Sequence, residues 1–136
     1  MRAYNYRGMT LVEILVAAFI FTLAIGTLLY SLISVLYFIE MARAETIATY
    51  DLKNMMELIR TTAFANTVSM FPDSVVNGPI NNNYSTAIGG YTLNNEQIVV
   101  TYANINADPL EIRVDLTWQD GRGKNHNMWV STFKTR

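Results

Sequence analysis

Glu13 is the residue near the start of this chain whose type and position raise a chemical question. It is followed by an apolar stretch, from Ile14 to Ile39, that contains no charged residue. A carboxylate well inside a bilayer costs about 2.5–3.5 kcal/mol on insertion scales, so such a group usually has a partner. A glutamate in the first turns of a helix is instead stabilised by the helix dipole, by about 0.3–1 kcal/mol. Both explanations of Glu13 remain open at this point.

The uncharged stretch is long enough to cross a membrane. At about 1.5 Å per residue it would form a helix of roughly 39 Å, which exceeds the hydrocarbon core of about 30 Å. The first eight residues contain Arg2 and Arg7 and no acid, whereas Glu40, Arg43 and Glu45 follow the stretch. Because basic residues favour the cytoplasmic side, we expect a cytoplasmic N-terminus and an exported C-terminal part.

The same stretch differs from an ordinary secretory signal. Such a signal has an apolar region of about 7–15 residues that ends at a small-residue cleavage site. Here the apolar region is longer, and no such site separates it from the rest of the chain. Cleavage before the stretch would leave the helix on the mature protein, and Gly8, between Arg7 and Met9, suggests such a site. The alternative is an uncleaved signal-anchor helix on some other exported domain.

The residues around Gly8 resemble the class III signal of type IV prepilins and pseudopilins. The run RGMTLVEILVA, at residues 7–17, combines the end of a basic leader, a glycine, a glutamate and the start of an apolar helix. The resemblance implies that a membrane peptidase cuts after Gly8 and methylates the new first residue, Met9. Glu13 would then lie four residues from the new amine, on the same helix face. It also implies that Glu13 is needed for assembly, by pairing with its own amine or with that of a neighbouring subunit.

Helical periodicity continues beyond the apolar stretch. Small and large apolar residues recur at steps of three and four, which is typical of an amphipathic helix; they are Met41, Ala44, Ala48, Leu52, Met55, Ile59 and Ala63. Asn66 is a candidate C-cap, and Pro72 forbids further helix. The pattern predicts one helix to about Asn66, apolar all round in its first half and amphipathic in its second.

The period changes to two in the C-terminal part of the chain. Leu110–Trp118 alternates apolar and polar residues, Asp120–Lys124 indicates a turn, and Met128–Phe133 indicates a second strand. Gln97–Tyr102 is predicted as a third strand and Tyr91–Leu93 as a short fourth. We therefore expect an α+β fold, with a long N-terminal helix, membrane-spanning in its first half and amphipathic in its second, packed on a small antiparallel sheet of three to four strands.

The expected organisation follows from these patterns in chain order. It is a leader peptide at 1–8, a transmembrane or filament-core helix at 9–39, the amphipathic half of that helix at 40–66, a connecting loop at 67–90 and the antiparallel sheet at 91–136.

No catalytic residue, metal site or cofactor is predicted. The chain has no cysteine, which excludes disulfides and thiolate sites. No nucleophile–base pair or metal cluster is visible in the sequence, so we expect a protein that is not an enzyme. His126 is the single histidine, and we expect it to be an exposed strand residue rather than a catalyst or a ligand.

Four cations occur close to the C-terminus with no acid among them: Arg122, Lys124, Lys134 and Arg136. A solvated hairpin edge explains them without any function. The functional alternative is contact with an anion such as DNA. The formal net charge of −1 gives no general electrostatic argument for a nucleic-acid partner.

The resemblance implies a structural subunit that is stored in the inner membrane, with one transmembrane pass, and polymerised through its N-terminal helix into a pilus or a periplasmic type II secretion pseudopilus. The chain lacks the C-terminal cysteine pair of many major pilins, which favours a minor subunit. The run VDLTWQDG, at residues 114–121, also resembles minor pilins and minor pseudopilins. The implied partners are a prepilin peptidase and methyltransferase, other pilin or pseudopilin subunits, the inner-membrane assembly platform and the lipid bilayer. The competing interpretation is an exported binding module, such as a DNA-uptake (competence) pilin that binds DNA through its basic C-terminal residues.

Overall fold

A computed structural model describes residues 10–79, 83–90 and 92–136 of the chain. It divides into two compact units, one that ends at Glu40 and one that begins at Met41, and each is described by itself. The elements in chain order are α1 (Leu11–Thr61), α2 (Phe64–Met70), α3 (Tyr84–Ile88), β1 (Asn94–Tyr102), β2 (Leu110–Gln119) and β3 (Asn125–Lys134). The α+β fold with a long N-terminal helix and a small antiparallel sheet is confirmed.

Within the described residues, the sheet has three antiparallel strands in the order β1-β2-β3. Val114 at its centre pairs with Val100 on β1 and with Val130 on β3. Burial along β2 alternates residue by residue, with Ile112, Val114 and Leu116 fully buried. One face of the sheet therefore forms the core, as the period of two predicts.

The second half of α1 covers that face. Ala48, Leu52, Met55 and Ile59 are at most 4% exposed and belong to the same core cluster as the buried strand residues. Burying a Leu, Ile or Met side chain contributes about 1.5–3 kcal/mol, so this stripe accounts for much of the attachment of the helix to the sheet. The amphipathic second half of the helix is confirmed.

The helix ends at Thr61 rather than near Asn66. Ala63 has an extended backbone, with φ −61° and ψ 142°, and a separate helix, α2, begins at Phe64. At this point the Nζ of Lys134 donates hydrogen bonds to the carbonyl oxygens of Ile59 and Thr62. A contact from the last strand thus satisfies carbonyls that a longer helix would have bonded internally.

The connection at 67–90, expected to be a loop, contains the end of α2 and all of α3. The fourth strand predicted at Tyr91–Leu93 is not found: Tyr91 lies outside the described residues, and Thr92 and Leu93 are not in a strand. The backbone nitrogens of Thr92 and Leu93 instead donate to Glu96 Oε2, at 3.1 and 3.0 Å. These N–H groups are satisfied by a side chain and not by a neighbouring strand.

Candidate functional site

The start of α1 places Glu13 beside Thr10. The backbone nitrogen of Thr10 donates to Glu13 Oε2 at 3.4 Å, and the backbone nitrogen of Glu13 donates to Thr10 Oγ1 at 3.3 Å. This reciprocal arrangement is a capping box, which satisfies N–H groups that the first helical turn leaves unbonded. Its Thr-x-x-Glu spacing was present in the sequence, but our prediction for Glu13 considered only the dipole and an amine partner.

The surface of the first half of α1 is apolar on all sides. Most of its large apolar side chains are exposed, from 40% at Ile25 to 75% at Leu11 and Tyr30. By length and composition the helix can cross a membrane, with a mean hydropathy of 2.4 over its most apolar window. Such a surface is not stable in water and indicates a bilayer or other helices around it.

Several hydroxyl groups on this half are bonded to the helix's own backbone. Thr22 donates to Phe19 O at 2.8 Å, Thr27 to Ala24 O at 2.9 Å and Ser34 to Tyr30 O at 3.1 Å. Internal hydrogen bonds of this kind remove the cost of placing a hydroxyl in an apolar medium. Glu13 differs because its carboxylate is exposed at the beginning of the helix and keeps acceptor capacity beyond its bond to Thr10.

Comparison with known families decides how this segment is classified. Residues 4–29 carry the prokaryotic N-terminal methylation motif. The match includes Gly8, Met9 and Glu13, of which Gly8 and Met9 lie outside the described residues. No curated protein and no solved structure matches the chain.

The N-terminal methylation motif supports a type IV pilin-like prepilin precursor, in agreement with the resemblance of its class III signal. It implies processing by a prepilin peptidase and assembly with other pilins. The motif and the long apolar helix that follows it fit an anchor in the inner membrane. Pilin-type proteins that carry this motif are structural and not catalytic.

The basic residues near the C-terminus do not form one cluster in the structure. Lys134 points to the end of α1, where it donates to the carbonyls of Ile59, Arg60 and Thr62, and burial lowers the pKa of its ammonium group. Arg136 lies 3.7 Å from Asp108 Oδ2 and places its guanidinium 5.5 Å from the ring centre of Phe64. Each of these two cations therefore has a partner inside the domain.

Arg122 and Lys124 lie in the turn between β2 and β3 and are both exposed. Their backbone nitrogens each donate to Asp120 Oδ1 at 2.9 Å, and the turn closes with the backbone nitrogen of Gly123 on Asp120 O. The predicted turn at Asp120–Lys124 is confirmed. The division of the four cations between two places weakens the hypothesis of a joint anion site.

The expectation that His126 is an exposed strand residue is wrong. Its side chain is 12% exposed, with Nε2 3.0 Å from Asp120 Oδ2, and its ring stacks on that of Trp118 with centres 5.6 Å apart. His126 lies on the core-facing side of β3, directly opposite Trp118. The stacking explains its burial and gives it a role in closing the hairpin.

A buried pair of carboxyl groups was not predicted from the sequence. Asp51 on α1 and Glu96 on β1 are 4% and 5% exposed. Burial, then the charge of Glu96 and a hydrogen bond with it, raise the pKa of Asp51 to about 6. A signal was available, because Asp51 lies three residues after Ala48 and four before Met55, inside the apolar stripe.

Proposed function

We propose that this protein is the precursor of a type IV pilin-like structural subunit that is cleaved after Gly8 and N-methylated at Met9. The observation that carries the proposal is the N-terminal methylation motif at residues 4–29, followed by an exposed apolar helix without charge from Ile14 to Ile39. The mature subunit is assembled through this helix into a pilus or a type II secretion pseudopilus, as a minor component.

Glu13 has the assembly role in this proposal. Cleavage after Gly8 places a positive amine next to Thr10, at the beginning of the helix that Glu13 caps. An incoming subunit can neutralise an exposed Glu13 only at one axial offset, so the pairing of amine and carboxylate sets the register between helices. The local bond between Thr10 and Glu13 holds the carboxylate at the helix start before that partner arrives.

The proposed membrane location is supported by the same elements. The precursor is stored in the inner membrane with its N-terminus in the cytoplasm and the unit from Met41 onward exported. A prepilin peptidase and methyltransferase processes it, and an assembly platform passes it to other pilin or pseudopilin subunits. The exported unit, whose core is formed by the second half of α1, the sheet and residues of α2 and α3, is the part available for contacts along the filament.

Intact mass of the protein isolated from membranes tests the proposal. We expect the loss of residues 1–8 and the addition of one methyl group, located on Met9 by fragmentation. A Gly8→Leu variant is the matched control, because it leaves the apolar helix intact and should retain the full precursor mass. A wild-type protein that keeps its leader in cells with an active prepilin peptidase would refute the proposal and favour a plain signal anchor.

A further inference from the structure

The two edges of the sheet differ in how their backbone groups are satisfied. At the β1 edge the segment Asp73–Asn77 supplies the partners. The nitrogen of Ser74 donates to Val100 O at 2.8 Å, and Asn77 both donates to Ile98 O at 2.7 Å and accepts from the nitrogen of Ile98 at 2.8 Å. This edge is closed to a further strand, as natural sheets usually require.

The β3 edge is open, and the turn defines which of its groups face outward. The backbone nitrogen of Asp120 donates to Lys124 O at 3.0 Å, so this opposite pair is a hydrogen-bonded one. Bonded and non-bonded pairs alternate along an antiparallel ladder, so the odd-numbered residues of β3 direct N–H and C=O away from β2. Within the described part of the chain those outward groups have no hydrogen-bond partner; they belong to Asn125, Asn127, Trp129, Ser131 and Phe133.

An apolar groove runs along this open edge, between β3 and the second half of α1. It has a volume of about 570 Å³, and its lining residues are Thr49, Leu52, Lys53, Met56, Arg60 and residues 128–132 of β3. At one end the hydroxyl of Thr49 lies 3.5 Å from the sulfur of Met128. An added strand along β3 would place alternate side chains over Met56 and Leu52.

The charged side chains that line the groove, among the described residues, are all positive. Lys53 and Arg60 are exposed cations on its helical wall, and none of the described residues that line it is acidic. Glu57, on the same helix, does not line the groove; it lines a neighbouring hollow to which Lys53 and Arg60 also contribute. The complementary occupant therefore carries carboxylates as well as apolar side chains, since a second basic segment would be repelled.

We propose that an extended segment of a partner protein, with apolar and acidic residues in alternation, adds to β3 as a fourth strand and lies in this groove. Backbone hydrogen bonds to the outward groups of β3 supply affinity, and the groove selects the side chains. A second copy of this chain is the weaker choice, because its alternating run with acids, Leu110–Leu116, already forms the central strand β2.

The test uses the full chain in detergent micelles and a capped ten-residue peptide of alternating valine and glutamate as the probe. Hydrogen exchange of individual backbone amides, followed by NMR, is the readout. We expect the peptide to slow exchange at Asn127, Trp129 and Ser131 at least fivefold, with a smaller effect at high salt. The same peptide with lysine in place of glutamate is the matched control and should have no effect.

One single and one double variant distinguish the contribution of the open edge of β3 from that of the positive charge in the groove. Ser131→Pro removes an outward N–H without breaking the ladder to β2, where proline is tolerated, and should abolish the slowing. Lys53→Glu combined with Arg60→Glu should weaken peptide binding at least tenfold, while Lys124→Glu, in the distant turn, should leave it unchanged. Unaltered protection of the β2 amides shows that each variant is folded.

Three results would overturn the proposal. The first is no slowing at the outward amides with saturating valine–glutamate peptide. The second is equal slowing by the lysine peptide. The third is protection that appears without peptide and rises with protein concentration, since this would assign the open edge to a second copy of the chain.

Discussion

Asp51 on α1 and Glu96 on β1 are buried side by side, and each is at most 5% exposed. Asp51 Oδ2 and Glu96 Oε1 have no hydrogen-bond partner among the described residues, while Glu96 Oε2 accepts from two backbone nitrogens. A proton on Asp51 allows it to donate to Glu96, and loss of that proton leaves two negative charges in contact. We therefore expect the attachment of the helix to β1 to depend on pH.

This pair predicts that the unit that begins at Met41 is more stable in weak acid than at neutral pH. The pKa of Asp51 is raised to about 6 in the folded state, above its ordinary value of 3.8. The stabilising contribution is thus complete below the ordinary value and is lost as the pH rises through about 6. We expect Asp51→Asn to raise the free energy of unfolding by up to about 2 kcal/mol at pH 7.5 and to change it little at pH 4.5.

Denaturant unfolding of the full chain, followed by the fluorescence of the buried Trp118, measures this effect at both pH values. Glu57→Gln is the matched control, because it neutralises an exposed carboxylate on the same helix and should leave the pH profile unchanged. If Asp51→Asn changes the free energy of unfolding equally at pH 7.5 and at pH 4.5, the two carboxyl groups do not share a proton.

The carboxylate of Glu13 is predicted to be needed for assembly and not for anchoring. Glu13→Leu should leave membrane insertion and cleavage intact and abolish incorporation into filaments, because the amine of the next subunit loses its partner. Thr10→Ala is the matched control: it removes the hydroxyl of the capping box but keeps the carboxylate, and it should still be incorporated. Immunoblots of sheared filaments measure both, and normal incorporation of Glu13→Leu would reject the assembly role.

Lys134 is predicted to stabilise the domain through the end of α1. Lys134→Ala leaves the carbonyl oxygens of Ile59 and Thr62 without their donor, and we expect a loss of about 1–3 kcal/mol in the free energy of unfolding. Lys124→Ala removes an exposed lysine of the same charge and should change this free energy by less than about 0.5 kcal/mol. Equal effects of the two substitutions in denaturant titrations would show that the contact contributes nothing.

Asp120 is predicted to control the turn between β2 and β3. Asp120→Ala removes the acceptor of the backbone nitrogens of Arg122 and Lys124 and the partner of His126, which should cost about 1–3 kcal/mol. Asp120→Asn keeps one carbonyl acceptor and should cost less. The hydrogen-exchange rate of the backbone amide of Lys124 measures how far each variant weakens the turn. Exchange that is as slow in Asp120→Ala as in the wild type would contradict this role of Asp120.

The sequence alone determined the elements whose signal is local. The apolar stretch after Glu13 is uncharged over its whole length, whereas the steps of three and four from Ala48 to Ile59 and the alternation in β2 repeat with the periods of a helix and of a strand. They therefore predicted the long helix, its amphipathic second half, the central strand and the α+β fold, and the signal around Gly8 predicted the methylation motif. These features need no knowledge of distant residues, because one face of each element must be apolar to be buried.

The tertiary structure decided the features that depend on pairs distant in sequence. Lys134 donates to a carbonyl just after the end of α1, His126 stacks on Trp118, and burial together with the charge of Glu96 raises the pKa of Asp51. The same holds for the edges of the sheet, because only the fold brings Asn77 to β1 and, within the described residues, leaves the outer edge of β3 without a neighbouring strand. A periodic pattern specifies which face of an element is buried, but the hydrogen-bond partners of its ends and edges are set by which elements become neighbours.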